Sequence, residues 1–345
     1  SIYKGIRKLL PGTFIRISVA NEKQSLNNFP IPKPYWSLKD VVVAGREKPF
    51  LGSDIEAVDK LDNLLNKSIQ QQMVADVPVG AFLSGGIDST SVVAIMQAQS
   101  SRPIQTFTIG SDFQNYNEAV HAKSIAKYLG TDHSELYVSS QDALNVIPYL
   151  PKLYDEPFSD FSQIPTFLIS KLASKKVTVS LSGDAGDELF GGYNRYIGTS
   201  QWWERINKIP YWLRIFLSSS ILSISPKKWN SFEKVATKII PKQLSSGGLG
   251  NNLQKIGSVL SVKDSKSLHH HFVSNWSFPE EVVINGIEPI LPAINTEFYL
   301  DNIVSQMMAM DTLNYLPDDI LVKLDRAAMS VSLETRIPFL DHRVL

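Results

Sequence analysis

The sequence predicts an α/β protein, a doubly wound, mostly parallel sheet with an additional helical part. Three observations predict it. Short apolar runs alternate with helical segments between about residues 79 and 181. The run Val79–Leu83 is continuously apolar, the mark of a strand covered on both faces. After about residue 200 the strand pattern stops and helical composition takes over.

Residues 1 to about 50 stand apart. Thr13 to Val19 alternates apolar and polar side chains, as a half-buried strand does. Pro30, Pro32 and Pro34 then read as a linker. Such a piece is too small for its own core and is expected to complete another domain. Ser1 and the stop shortly after Asp341 lead us to expect that both ends are cut from something longer. The main domain is expected over residues 53–345. It opens with Ile55, Val58, Leu61, Leu64, Leu65, Ile69 and Met73 at helical spacing, with Ser53 and Asp54 available as caps.

Strands are predicted at Val79–Leu83, Ile104–Ile109, Glu135–Val138 and Val177–Leu181. Helices are predicted at Ser89–Gln99, Asn117–Leu129 and Ile164–Ser174. Right-handed crossovers would set all the strand C-termini along one edge. The later helices are expected to pack around this layer in an order the sequence does not give. Trp202, Trp203, Trp212, Trp229 and Trp276 fall there and read as core or domain contacts, and Ser245–Gly250 reads as a loop.

Composition narrows the function. Lys+Arg and Asp+Glu both number 34, so nothing suggests the basic face that nucleic acid requires. With no cysteine, this chain has no disulfide, thiolate metal site or cysteine nucleophile. No apolar run reaches the roughly 18 residues of a membrane span, and a cytoplasmic protein is the default expectation. His269, His270 and His271 would point in different directions on a helix or strand, so a metal site there is not expected.

Three segments carry chemistry. In Leu83-Ser84-Gly85-Gly86-Ile87-Asp88-Ser89, a strand end meets a helix start. Glycines let backbone amides approach a ligand, and the helix N-terminus attracts anions. There is no lysine, so this is not a Walker A loop, and a pyrophosphate leaving group fits it. Asp88 is the natural Mg²⁺ ligand, since that ion takes one or two carboxylates plus phosphate oxygens. A plain glycine turn with capping Ser and Asp is the competing reading. In Ser182-Gly183-Asp184-Ala185-Gly186-Asp187-Glu188, three carboxylates crowd within five residues. Their repulsion needs a cation, which Mg²⁺–nucleotide would supply. A solvated acidic loop is the alternative, against its apolar flanks. In the third segment Lys323 and Arg326 share a helix face, where cations would offset charge on a transferring phosphoryl group. Salt bridges to Asp319 or Asp325 explain them equally well.

In this order, the three segments resemble the synthetase domain of glutamine-dependent asparagine synthetases. The decisive stretches are Ser182 to Tyr193 and Glu334 to Asp341, since the Ser84–Ser89 loop alone defines only the wider ATP-pyrophosphatase group. The resemblance runs from about Ser53 to Leu345. Residues 1–50, with Ile2 to Gly12 and Tyr35-Trp36, resemble the end of the family's N-terminal, Ntn-type glutaminase domain.

The resemblance implies an ATP-pyrophosphatase-like fold, ATP and Mg²⁺. It implies adenylation of aspartate followed by attack of ammonia, which glutamine supplies in the full-length enzyme. Ser84, Gly85, Gly86, Asp88 and Ser89 would hold pyrophosphate and Mg²⁺, with Asp187 as the second metal ligand. Leu83 and Ile109 would flank adenine, and Ser182, Gly183 and Tyr193 would line the nucleotide. Asp184 would guide or deprotonate ammonia. Arg326 and Lys323 would act on the phosphoryl group, and Glu188 would touch substrate. The family's Thr-x-x-Arg stretch is missing at Phe158 to Gln163. Lys171, Lys323 or Arg195 would have to replace that arginine, or the acceptor is another carboxylate, such as a sugar acid or a peptide. A nucleotide-binding regulator is a third reading, and a homodimer is left open.

Overall fold

In the computed structural model the described residues are 1–17, 30–111, 118–235, 248–274, 282–286, 300 and 302–345. The chain divides into two compact units, residues 1–192 with 311–345, and residues 193–310.

The first unit opens with a minimal ribbon, β1 (Thr13–Phe14) antiparallel to β2 (Lys33–Pro34). The strand expected over Thr13–Val19 is described only to residue 17, and just its first two residues pair. Two of the residues read as linker are therefore a short strand instead. Helix α1 (Leu38–Glu47) follows, then α2 (Asp54–Gln72), which begins with a capping box. The Ser53 hydroxyl accepts from Glu56 N, and Glu56 Oε2 accepts from Ser53 N at 2.7 Å, which satisfies two otherwise orphaned donors. The predicted apolar stripe of α2 is only partly buried. Leu65 and Ile69 are in the core, whereas Ile55 and Val58 are exposed.

The main sheet contains β3 (Val79–Phe82), β4 (Gln105–Ser111), β5 (Asp132–Val138), β6 (Val179–Leu181) and β7 (Glu334–Arg336). Its order is β5-β4-β3-β6-β7, parallel throughout. Between the strands run α3 (Ile87–Ala98), α4 (Ala119–Leu129), α5 (Ser140–Val146), α6 (Leu150–Tyr154), α7 (Gln163–Ala173) and α8 (Gly186–Phe190). Strand alternation sorts two cores. Ala81, Leu83 and Leu181 pack with Leu65, Ile69, Val93, Met96 and Ala122 of α2, α3 and α4. Phe82 and Phe107 point the other way, onto Ala173 of α7 and onto Leu324 and Ala328. Both faces are covered, as a doubly wound sheet requires. The four predicted strands are present with shifted ends. The fifth, β7, was not predicted, because Glu334-Thr335-Arg336 has no apolar pattern, and its pairing with β6 is a backbone matter.

The second unit contains α9 (Asn194–Ile206), α10 (Tyr211–Leu222), α11 (Pro226–Val235), α12 (Leu249–Leu260) and α13 (Ser265–Val273). Helix α14 (Ile303–Leu313) runs from it into the first unit, which ends with α15 (Leu321–Met329) and β7. Trp203 joins Val262 and Leu268 in a small core, while Trp212 is exposed. Trp276, the side chain of Trp202 and residues 245–247 lie outside the described residues. His269 is buried in α13, and His271 faces Ser258 Oγ at 3.1 Å. Among the described residues no helix is long and apolar enough to cross a membrane.

Candidate active site

The strand order places the site. From β3 the chain moves outward to β4 and β5, then returns to β6 on the other side of β3. The order therefore reverses between β3 and β6, and a crevice opens outside their C-terminal ends. The two acidic, glycine-rich segments are the loops that leave those two strands.

The first loop is held by its serines. The Ser84 and Ser89 hydroxyl oxygens lie 2.9 Å apart, Ser84 N donates to Ser89 Oγ at 3.2 Å, and Gly86 N donates to Ser84 Oγ at 3.2 Å. Gly85 has φ +88°, a left-handed conformation that favours glycine, and α4 crowds it, with Ala122 N 3.0 Å from where a Cβ would sit. Gly86 precedes α3, and no side chain caps that helix. The positive end of α3 thus faces the crevice.

The second loop lies directly against the first. A Cβ on Gly183 would come within 2.6 Å of Ser89 N, and a Cβ on Gly186 within 2.7 Å of Asp88 Oδ2. Asp88 is thereby brought beside Asp184 and Asp187. Burial, then the Asp187 and Asp184 charges, push the Asp88 carboxyl above its ordinary value. Asp184 is oriented by the Ser182 hydroxyl, which donates to its Oδ2. Ala185, next after Asp184, has φ +72° although it has a Cβ, a conformation that typically costs ~1–3 kcal/mol and concentrates at functional sites. Glu188 is buried. Among the described residues no cluster of three or more acidic or imidazole groups is arranged as a metal cage. An ion bridged to phosphate oxygens needs only one or two protein carboxylates, and the Asp88–Asp187 pair fits that.

The other predicted residues are dispersed. Leu83 is fully buried in the core, so its backbone rather than its side chain adjoins the crevice. Ile109 lines an apolar cavity of about 570 Å³ at the ends of β4 and β5, with Val138, Leu144 and Leu168. Arg326 Nη1 is 2.9 Å from Asp155 Oδ2 on an exposed surface. Arg336 donates to the carbonyls of Gln72 and Val74 at 2.6 and 2.9 Å, closing the end of α2. Lys171 is exposed on α7, 6.0 Å from the centre of the Phe167 ring. Tyr193 opens the second unit, where the Arg195 guanidinium stacks 4.1 Å from its ring.

Lys323 is buried, and its Nζ lies 3.3 Å from Asp160 Oδ2. Sequence reasoning missed Asp160. Its signal was only one acidic residue in the stretch that lacks the family's Thr and Arg. Burial, then the Asp160 charge, push Asp319 up to about 6 against the pull of Lys323. The sign follows from linkage. Between 3.8 and about 6 the folded chain keeps a proton that the unfolded chain has lost, so stability falls as pH rises through that window. Asp319→Asn is therefore expected to leave Tm near that of the parent at about pH 4 and to raise it at about pH 7. Equal Tm values at both pH values would sink this assignment.

A doubly wound sheet whose switch-point crevice sets a lysine-free Ser-Gly-Gly loop against a carboxylate cluster defines an α/β protein suited to holding an anion and a cation together. The asparagine synthase family profile matches residues 60–345, and the chain belongs to that family. It is 30% identical over 295 residues to asparagine synthetase (glutamine-hydrolyzing) 1 of Bacillus subtilis (strain 168), covering 85% of this chain and 44% of that protein. A putative asparagine synthetase (glutamine-hydrolyzing) of Mycobacterium tuberculosis (strain ATCC 25618 / H37Rv) is 31% identical over 352 residues, 100% of this chain and 48% of its own length. Putative asparagine synthetase (glutamine-hydrolyzing) 2 of Methanocaldococcus jannaschii is 31% identical over 299 residues, 86% of this chain and 52% of its own. The chain spans about half the length of the curated relatives it matches.

Proposed function

We propose that this chain is the ATP-dependent synthetase part of an amide-forming ligase. A carboxylate oxygen of the acceptor attacks the α-phosphorus of ATP, and the bond to pyrophosphate breaks. Ammonia then attacks the acyl carbon of the adenylate, loses a proton and displaces AMP. The observation that carries this reading is the approach of Asp88 to Gly186 across the switch point, which joins an anion-binding loop to a cluster of carboxylates.

Ser84, Gly86, Ser89 and the α3 terminus would bind the pyrophosphate oxygens, and Ser182 and Gly183 the nucleotide. Mg²⁺ held by Asp88 and Asp187 would neutralise phosphate charge. Asp184, fixed by Ser182, would take the proton from the attacking nitrogen. Lys323 would offset charge at the transferring group. Residues 1–50 are proposed to be the tail of a glutaminase domain that supplies the ammonia. In support, Ile2, Ile6, Leu10, Ile17 and Ile31 are exposed, as expected of a piece whose core lies elsewhere.

Aspartate is the first acceptor to test. A second reading, amidation or cyclisation of another carboxylate, is favoured by one observation. Lys323 and Arg326 are paired with Asp160, inside the stretch that differs from the family, and Asp155, just before it, so both already have a carboxylate partner in place of an acceptor's α-carboxylate. The test is exchange of radiolabelled pyrophosphate into ATP over a panel of acids, aspartate included. At least one acid is expected to drive exchange, and ammonia but not glutamine should then yield the amide, since the chain has no cysteine. Nucleotide binding with no exchange for any acid would leave a binding domain instead.

A further inference from the structure

Asp160 and Lys323 come from distant parts of the chain and meet at one edge of the sheet. Helix α7 feeds β6 and α15 feeds β7, and both strands run parallel to β3. Each helix must therefore start at the strands' C-terminal edge, where the crevice opens. Asp160 lies just before the start of α7, and Lys323 is the third residue of α15. Leu324, next to Lys323, packs in one cluster with Phe82, two residues before Ser84.

The Asp160 carboxylate is fully engaged. Its Oδ1 accepts from Ser162 N and from the Ser162 hydroxyl, both at 2.6 Å, and its Oδ2 faces Lys323 Nζ. Ser162 locks the carboxylate, and the carboxylate in turn fixes the ammonium. Tyr154 closes the arrangement from α6. Its hydroxyl donates to the Lys323 carbonyl at 3.4 Å, and its ring stacks on Phe158 at 4.6 Å. Removing the carboxylate from such a buried pair would leave the ammonium without its partner.

We infer that Asp160 is the positioning residue for Lys323, holding its ammonium at the crevice edge for the adenylation step. This rests on the synthetase reading above and on the role given there to Lys323. It also gives the variant stretch a use. Where relatives are expected to carry acceptor-binding Thr and Arg, this chain carries the carboxylate that places a phosphoryl-side cation. Asp160 acts through Lys323 and need not touch substrate.

The test is steady-state pyrophosphate exchange with the acid that the unmodified chain prefers. Asp160→Asn is expected to lower kcat by about 10²-fold, the scale of a catalytic group displaced by about 1 Å, with the KM for ATP changed less than about threefold. Asp160→Asn combined with Lys323→Gln should be no slower than Lys323→Gln alone, because a positioning residue has nothing to act on once its target is gone. Asp160→Glu keeps the charge but shifts it by one methylene. It should retain the parental Tm and lose about tenfold in kcat, and it decides the matter if Asp160→Asn does not fold. Parental kcat in the Asn and Glu variants, or losses that multiply in the double variant, would overturn the inference. No exchange by the unmodified chain with any acid would overturn the proposed function, and this inference with it.

Discussion

Asp88→Ala is expected to abolish acid-dependent pyrophosphate exchange, by about 10³-fold or more, while the chain stays folded. The loss is large because preorganised charge at the reacting phosphates is typically worth ~10²–10³-fold per group, and Asp88 would also hold the metal. The fold survives for a stated reason. Burial and the neighbouring Asp187 and Asp184 push the Asp88 carboxyl up, so its charge is a cost to the folded state. Removing it should leave Tm unchanged or slightly higher. Near-parental exchange by a folded Asp88→Ala variant would show that the metal and phosphate assignment is wrong.

Gly183→Ala is expected to be nearly as damaging by a different route. The added methyl would sit 2.6 Å from Ser89 N and 2.9 Å from Asp88 C and Ser89 Cα. All three are backbone atoms at the start of α3, so no side chain can rotate away. The two loops must separate, and overpacking of this kind typically costs ~1–3 kcal/mol. Separation also spoils the geometry of the crevice, and we expect exchange to fall by about 10²-fold or more. Gly45→Ala is the matched control. It lies on α1 with no heavy atom within 4 Å of the new methyl, so activity should be unaffected. Exchange and thermal melting on both variants check the contrast. Full activity in Gly183→Ala would mean that the two loops do not need the contact seen between them.

The extent to which the site was legible follows from where its signals reside. Ser84, Gly85, Gly86, Asp88 and Ser89 are contiguous, and their chemistry is local: glycine where the backbone turns left-handed, serines that bond within the loop, an acid in the first turn of a helix. Strands β3 and β6 were legible because both are largely buried, β3 as the apolar run Val79 to Leu83 and the run into β6 through Val177, Val179 and Leu181. β7 was not, since its three residues pair through the backbone at the sheet edge. The stripe of α2 misled in its first half, because spacing shows which residues share a face but not how far the covering layer extends. At Leu83 strand alternation sends the side chain into the core, so the adenine contact implied by the family resemblance would fall to its backbone.

What the sequence by itself determined is the α/β class, the two loops, and the residue types proposed to bind phosphate and metal, because these depend on contacts within a few residues. Only the tertiary structure decided which carboxylates face one another and which cations are already paired. The approach of Gly183 to Ser89, of Gly186 to Asp88, and of Asp160 to Lys323 joins positions about 90 to 160 residues apart. No local pattern encodes such pairs. They arise because a parallel sheet with helical crossovers returns every strand end to one edge, and there side chains remote in sequence share one electrostatic environment.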